Sequence, residues 1–267
     1  MRVDCPELQV RCFSAFLKEQ AFSPHRHDVY IFGLTTQGVQ CFDYRGCTRH
    51  ALPGDLVVLH PDELHDGRAG TEAGFGYRAI AVPPESIGSL LPGQALPFVR
   101  GGISADPQLK QAVSDLLIGG VGPPDSFQLA DGVVQIARAL ANACGSKEQA
   151  SVVDLLATQR ACDYIHAHLD QVVQMADLEH ATGQDRWQLS RDFRVLHGTS
   201  PYRYLLMRRL DAARERMLRG DSAATAAVAC GFSDQSHMQR QFKATHGLTP
   251  GRWRQCIGQQ GQALSQR

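Results

Sequence analysis

The order of apolar and polar positions divides the chain into two parts with different periods. Across the first hundred residues the apolar side chains recur in short runs, at 10–17, 29–35, 38–44, 55–60 and 76–82, and these predict strands. VQCFDY alternates with period two, setting Val39, Cys41 and Asp43 against Gln40, Phe42 and Tyr44; Gly38, Gly46, Pro53-Gly54 and Gly67 supply the breaks. Short strands at that spacing predict an antiparallel sandwich or barrel. From Asp106 the period lengthens. Leu109, Val113, Leu116 and Leu117 form one helical stripe, GGVGPP interrupts it, and a helix from Ser126 to Cys144 sets Leu129, Val133, Ile136 and Leu140 at steps of four and three. That seam suits either a dimer contact or packing on the chain's own barrel.

The polar run GSKEQAS reads as a linker, after which every stripe is helical. Asp154 opens a helix that turns Leu155, Cys162, Ile165 and Leu169 inward, and Met175 to Thr182 makes a short helix ended by Gly183. The next begins at Gln184 or Asp185: Leu189 and Phe193 bury, which leaves Trp187, Ser190, Arg191 and Arg194 outward. SPYRYLLMRRLDAARERMLRG follows, with Ser200 as cap, Pro201 in the first turn, Gly220 at the exit and Leu206, Leu210, Ala213 and Met217 as its buried stripe. About 18 residues at 1.5 Å each give a rod of roughly 27 Å. Finally, ACGFSDQSHMQRQFKATHGLTPGRWR holds a Gly-Phe turn and a helix. Met238 and Phe242 face inward and Gln235, Ser236, Gln239 and Arg240 outward. Amide, hydroxyl and guanidinium groups without a carboxylate are the chemistry that reads base edges in a major groove, although a solvated helix face has similar composition. A helix entered through a glycine turn after a short helix is a helix-turn-helix.

The run GFSDQSH, followed by Arg240, Phe242, Gly247, Thr249 and Pro250, resembles the signature of the AraC-type family of bacterial transcription regulators, over roughly residues 154 to 258. The resemblance implies a seven-helix DNA-binding domain in which one long helix joins two helix-turn-helix units, attached to a variable sensor. It places Trp187, Ser190 and Arg191, with Arg194 beside them, on the base-facing side of the first unit, and Gln235, Ser236, Gln239 and Arg240 on that of the second. For Trp187 a core position is the competing reading. PHRHDVYIFGLTTQG and LPGDLVVLHPDELHDG are similar to the cupin-like sensor barrel of such regulators, resting on His25, His27, Gly38, Pro53-Gly54-Asp55 and His65. The expected fold class is therefore α+β: a cupin-like antiparallel β-barrel over 1–100, a helical connection over 101–150, an all-α double helix-turn-helix domain over 151–258 and a polar tail over 259–267. Two departures stand out. Ala223 and Ala226 replace bulky aliphatics in the second unit, and Glu179 occupies a normally small position in the first, where it either crowds a neighbour or points to water.

A catalytic cupin pairs two histidines one residue apart with a glutamate and a further histidine. His25 and His27 fit, and His60 or His65 is available, but no glutamate lies between Asp28 and Asp43. No metal, cofactor or catalytic residue is therefore expected. His25, His27 and His65 are expected to hold a small effector instead, against the bland alternative of histidines hydrogen-bonded at the barrel mouth. The sequence also lacks GxxxxGK and HExxH. The alternative function is a metal-dependent cupin enzyme with a helical interaction module.

Composition fits a globular protein, with 43% hydrophobic and 20% charged residues. Net charge is zero, yet residues 1–153 carry 12 Lys+Arg against 16 Asp+Glu (−4) and residues 171–258 carry 13 against 8 (+5). Only the second part suits phosphate. The eight cysteines form no CxxC pair and read as small buried hydrophobes in a reducing cytosol. No run approaches the ~18 apolar residues of a membrane span, so a cytoplasmic protein is expected. Its expected partners are double-stranded DNA, a small-molecule effector, RNA polymerase and a second copy of the chain.

Overall fold

A computed structural model describes residues 2–5, 10–18, 20–92, 94–119, 124–145 and 153–254. Residues 120–123 of the GGVGPP break, 146–151 of the expected linker and the whole 259–267 tail lie outside them. The chain divides into two compact units, one of Met1–Ser151 with Leu196–Gly198, the other of Val152–Val195 with Thr199–Arg267.

The first unit holds β1 (Arg2–Cys5), β2 (Val10–Leu17), β3 (Gln20–His25), β4 (Tyr30–Gly38), β5 (Gln40–Tyr44), β6 (Cys47–Ala51), β7 (Leu56–Leu59), β8 (His65–Ala69), β9 (Phe75–Val82), α1 (Pro84–Leu90), β10 (Ile103–Ser104), α2 (Pro107–Leu117) and α3 (Ser126–Cys144). Antiparallel ladders assemble a six-stranded sheet, in the order β1-β2-β9-β4-β7-β10, and a four-stranded one, β3-β8-β5-β6. Period-two alternation sorts the side chains between the faces of the larger sheet. Tyr30, Phe32, Leu56, Val58 and Ile80 meet Leu109, Val113, Leu129, Val133, Ile136 and Leu140 of α2 and α3. Their neighbours Ile31, Val57 and Leu59 meet Phe42, Tyr44 and Ala51 of the smaller sheet. The expected barrel is thus two stacked sheets that do not close among the described residues, a cupin-like arrangement with a helical layer on one side.

That layer answers the question left by the 4–3 seam. Leu129, Val133, Ile136 and Leu140 are all buried inside the chain, so the seam itself is spent on intrachain packing. Asp125 begins α3 with a capping box, accepting from the Gln128 N–H at 2.8 Å while the Gln128 side chain accepts from the Asp125 N–H.

The second unit is helical: α4 (Leu155–Ala167), α5 (Met175–Thr182), α6 (Arg186–His197), α7 (Pro201–Leu218), α8 (Ala223–Ala229) and α9 (Gln235–His246), with a further helical turn at 250–254. Two cores flank α7. Tyr204 and Leu205 join Ala161, Cys162, Ile165, Leu178, Leu189 and Phe193. Leu206, Leu210, Ala213 and Met217 join Ala226, Ala227, Cys230, Phe232, Met238 and Phe242. One 18-residue helix therefore carries both small-helix pairs. One expectation fails here: Leu155 is 65% exposed, because it sits at the first position after the Asp154 cap, a turn ahead of the buried Ala157, Thr158, Ala161 and Cys162.

Candidate nucleic-acid interface and sensor site

In the first small-helix pair, α5 ends at Gly183 in the left-handed conformation, and Asp185 starts α6 by accepting from the N–H groups of Trp187 and Gln188 at 2.8 and 3.0 Å. Those bonds hold the Asp185 carboxyl below its ordinary range. Glu179 does not crowd its neighbour. Its carboxylate accepts from the Arg186 backbone N–H at 2.9 Å and from the Arg186 guanidinium, tying the end of α5 to the start of α6. Asp192 is buried and accepts from Gln188 Nε2 at 2.7 Å, Gln184 Nε2 at 3.4 Å and the Asp154 N–H at 3.3 Å. It fixes the roll of α6 about its axis, and no sequence pattern distinguished it from a solvated aspartate. With Leu189 and Phe193 fully buried, Arg191 and Arg194 are exposed, Ser190 is half-buried, and Trp187 is 71% exposed. A core role for Trp187 is thereby removed.

The second pair repeats the plan. Ser222 caps α8 by accepting from the Thr225 N–H, and Asp234 caps α9 by accepting from the His237 N–H at 2.7 Å. The Asp234 carboxyl is held low mainly by that bond. Between them Gly231 has φ +74, and a Cβ there would stand 2.5 Å from the Leu169 carbonyl oxygen and 2.9 Å from an Arg209 nitrogen. Arg209 itself donates from Nε to the Leu169 carbonyl at 2.8 Å and from the guanidinium to the Gln171 carbonyl. It therefore braces the loop after α4 from α7 and is not spare for phosphate. Met238 and Phe242 are fully buried, and the Phe242 ring meets Trp253 edge-on at 5.7 Å. Gln235, Ser236 and Arg240 are exposed and Gln239 is half-buried. Of the two alanines that replace bulky aliphatics in α8, Ala226 is fully buried and Ala223 partly buried, and both pack with α7 residues in the same core, beside the fully buried Ala227.

In the other unit His25, His27 and His65 converge. His25 and His65 are cross-strand partners on β3 and β8, and His27 lies in the turn that follows β3. Ring centroids are 4.3 Å apart for His25 and His65, 4.6 Å for His27 and His65, and 6.0 Å for His25 and His27. The three Nδ1 atoms lie at hydrogen-bond distance from backbone carbonyls: Ser23 at 2.8 Å, Val29 at 2.8 Å and Glu63 at 2.9 Å, for His25, His27 and His65 in turn. A carbonyl only accepts, so each Nδ1 carries the proton and each Nε2 keeps its lone pair. Burial lowers the His25 pKa, and burial with the neighbouring His25 lowers that of His65 to about 3.

His60 does not join them. Its Nε2 accepts from the Val99 N–H at 3.0 Å, its Nδ1 donates to the Tyr44 hydroxyl at 2.7 Å, and its ring stacks on Phe98 at 4.1 Å. Burial, and then the charge of Arg45, lower its pKa to about 3. An unfolded histidine takes its proton near 6.5. The stability that neutral His60 contributes is thus whole above pH ~6.5 and is lost as pH falls toward its folded value, and His65 contributes with the same sign. Between pH 7 and 4.5 the sensor unit should lose about 2–3 kcal/mol through His60. Urea melts at the two pH values check this, and His60→Gln should flatten the dependence.

With this geometry established, two sequence families match. Residues 7–161 match an AraC-like ligand binding domain and residues 178–255 a helix-turn-helix domain. The chain belongs to the AraC family of transcriptional regulators. As an AraC-family member it pairs a ligand-binding domain with a DNA-binding one and regulates transcription. It is 24% identical over 247 residues to the HTH-type transcriptional regulator YbfI of Bacillus subtilis (strain 168), covering 87% of each chain. It is also 41% identical over 71 residues to the HTH-type transcriptional activator RhaS of Pectobacterium atrosepticum, covering 24% of this chain and 25% of that one. Among solved structures, ToxT from Vibrio cholerae O395 superposes with a TM-score of 0.65 at 13% identity, over 91% of this chain and 96% of that one. This last likeness shows the fold. No helix among the described residues is long and apolar enough to cross a membrane.

Proposed function

We propose that this AraC-family regulator reads its operator with α6 and α9, set into successive major grooves. Trp187, Ser190, Arg191 and Arg194 would face the bases of one groove and Gln235, Ser236, Gln239 and Arg240 those of the next. The observation that carries the reading is the division of both helices about α7. Leu189, Phe193, Met238 and Phe242 are sealed against it, and the polar faces stay open. The rod of roughly 27 Å, with the widths of the flanking helices, approaches the ~34 Å turn of DNA. Residues 151–258 act in this proposal as the DNA-binding domain, 1–100 as the effector-binding sheets and 101–150 as the helical layer against them. His25, His27 and His65 hold the effector, which shifts the population between arrangements that address DNA differently. The protein works in the cytoplasm without a catalytic step, as a homodimer and next to RNA polymerase. ToxT has been crystallised with an unsaturated fatty acid; the effector class of this chain is to be sought in its own three imidazoles.

Arg240→Ala should cost about 1–3 kcal/mol in affinity for the specific site and relax base preference at one position. Fluorescence anisotropy on the operator and its single-base variants measures both, and unchanged affinity removes Arg240 from the reading face.

A further inference from the structure

We propose that His25, His27 and His65 form a binding site for one divalent first-row transition-metal ion, of the zinc class, coordinated through their three Nε2 atoms. One ligand atom from each residue lies within 4.8 Å of the other two. The inference rests on which atoms converge. Because all three Nδ1–H groups are committed to the Ser23, Val29 and Glu63 carbonyls, the nitrogens left facing one another are acceptors. Three imidazole nitrogens gathered about one point are the donor set that a first-row transition-metal ion takes. A backbone carbonyl behind each ring is also the support that metal-bound histidines ordinarily have, fixing tautomer and orientation and raising basicity.

The scaffold supports the same end. Two of the three rings stand opposite each other on paired strands, β3 and β8, where a ladder fixes their separation, and the third is two residues further along the same chain. A tetrahedral ion at about 2.0–2.1 Å from each nitrogen needs them about 3.3 Å apart, so the most distant pair must close by about 1.5 Å. The absence of a carboxylate, which argues against a cupin catalyst, does not argue against binding, because neutral imidazole suits zinc, copper, iron and nickel. Three neutral ligands leave the ion its full charge and at least one position, which fits a water or an anionic donor of the effector. That last step rests on the proposed effector role, whereas the metal site stands without it.

The test uses full-length protein, stripped with a chelator and dialysed, with zinc and cobalt(II) as probes and no DNA present. Equilibrium dialysis with metal analysis should give one zinc per chain with a dissociation constant in the micromolar range or below, and cobalt(II) should show visible ligand-field absorption that zinc bleaches. Zinc should also raise the thermal midpoint of the wild type. His27→Gln and His65→Gln should each weaken zinc binding at least tenfold and abolish the zinc-dependent midpoint shift. His27 is half-buried, so that variant keeps the test alive if His65→Gln fails to fold, with circular dichroism as the check on folding. Absence of saturable binding by the wild type, or binding undiminished in a folded His27→Gln protein, overturns the proposal. Because operator binding is measured separately, either failure leaves the DNA-reading proposal as it stood.

Discussion

Phe242→Ala should destabilise the helical unit by about 3–5 kcal/mol and take specific DNA binding with it. The ring is fully buried among Leu206, Leu210, Met217, Ala226 and Met238, and it abuts Trp253 and His246. Truncation removes the contact that holds α9 to α7 and to the closing turn at 250–254. A cavity there cannot be filled by α8, whose inward residues, Ala226 and Ala227, are already the smallest with a side chain. Urea melts of the full chain should show a lowered midpoint. Gln239→Ala, on the outward side of the same helix, should change the stability by no more than about 0.5 kcal/mol. Equal stability of Phe242→Ala and the wild type would mean that α9 is held by something other than this core.

Raising salt from about 50 to about 200 mM should weaken operator binding by orders of magnitude, ~10³ or more if six to ten phosphates are contacted. A chain of zero net charge would not ordinarily be expected to respond so strongly. Here the charge is sorted, with 12 Lys+Arg against 16 Asp+Glu in residues 1–153 and 13 against 8 in residues 171–258, so the net is −4 in one and +5 in the other. Anisotropy titrations at several salt concentrations give the slope. Association indifferent to salt would point to a protein partner for the basic unit.

The helical half was largely legible from sequence because its signals are local. Caps at Asp154, Ser200, Ser222 and Asp234 and left-handed glycines at 183 and 247 bound helices whose apolar stripes have a single period. Where a local signal misleads, the error is also local, as with Leu155 beside its cap. The sheet half was half legible. β2, β4, β5, β7 and β9 are rich in apolar residues, and most of each lies within a run that marks a strand. β3, β6 and β8, reading QAFSPH, CTRHA and HDGRA, carry no such alternation, and β3 shifts register twice against β8. Their strand state comes from the ladder, a long-range fact. The same limit applies to the histidines. His60 and His65 are five residues apart and chemically alike, but the turn between them, with Asp62 at φ +60, sends one into the core against Tyr44 and Phe98 and the other to His25 and His27. Asp192 drew no notice, and Glu179 stood out only as an oversized residue, for the converse reason: a carboxylate that closes a turn looks like any exposed one until its donors are placed.

The central claim, that one rod presents two reading helices to successive grooves, is tested most directly by selecting duplexes from a random pool with the full-length protein. The selected sites should contain two preferred blocks centred about 10 base pairs apart. Arg191→Ala should relax one block and Arg240→Ala the other. A single undivided block, or a pair of blocks that both variants leave unaltered, would contradict it.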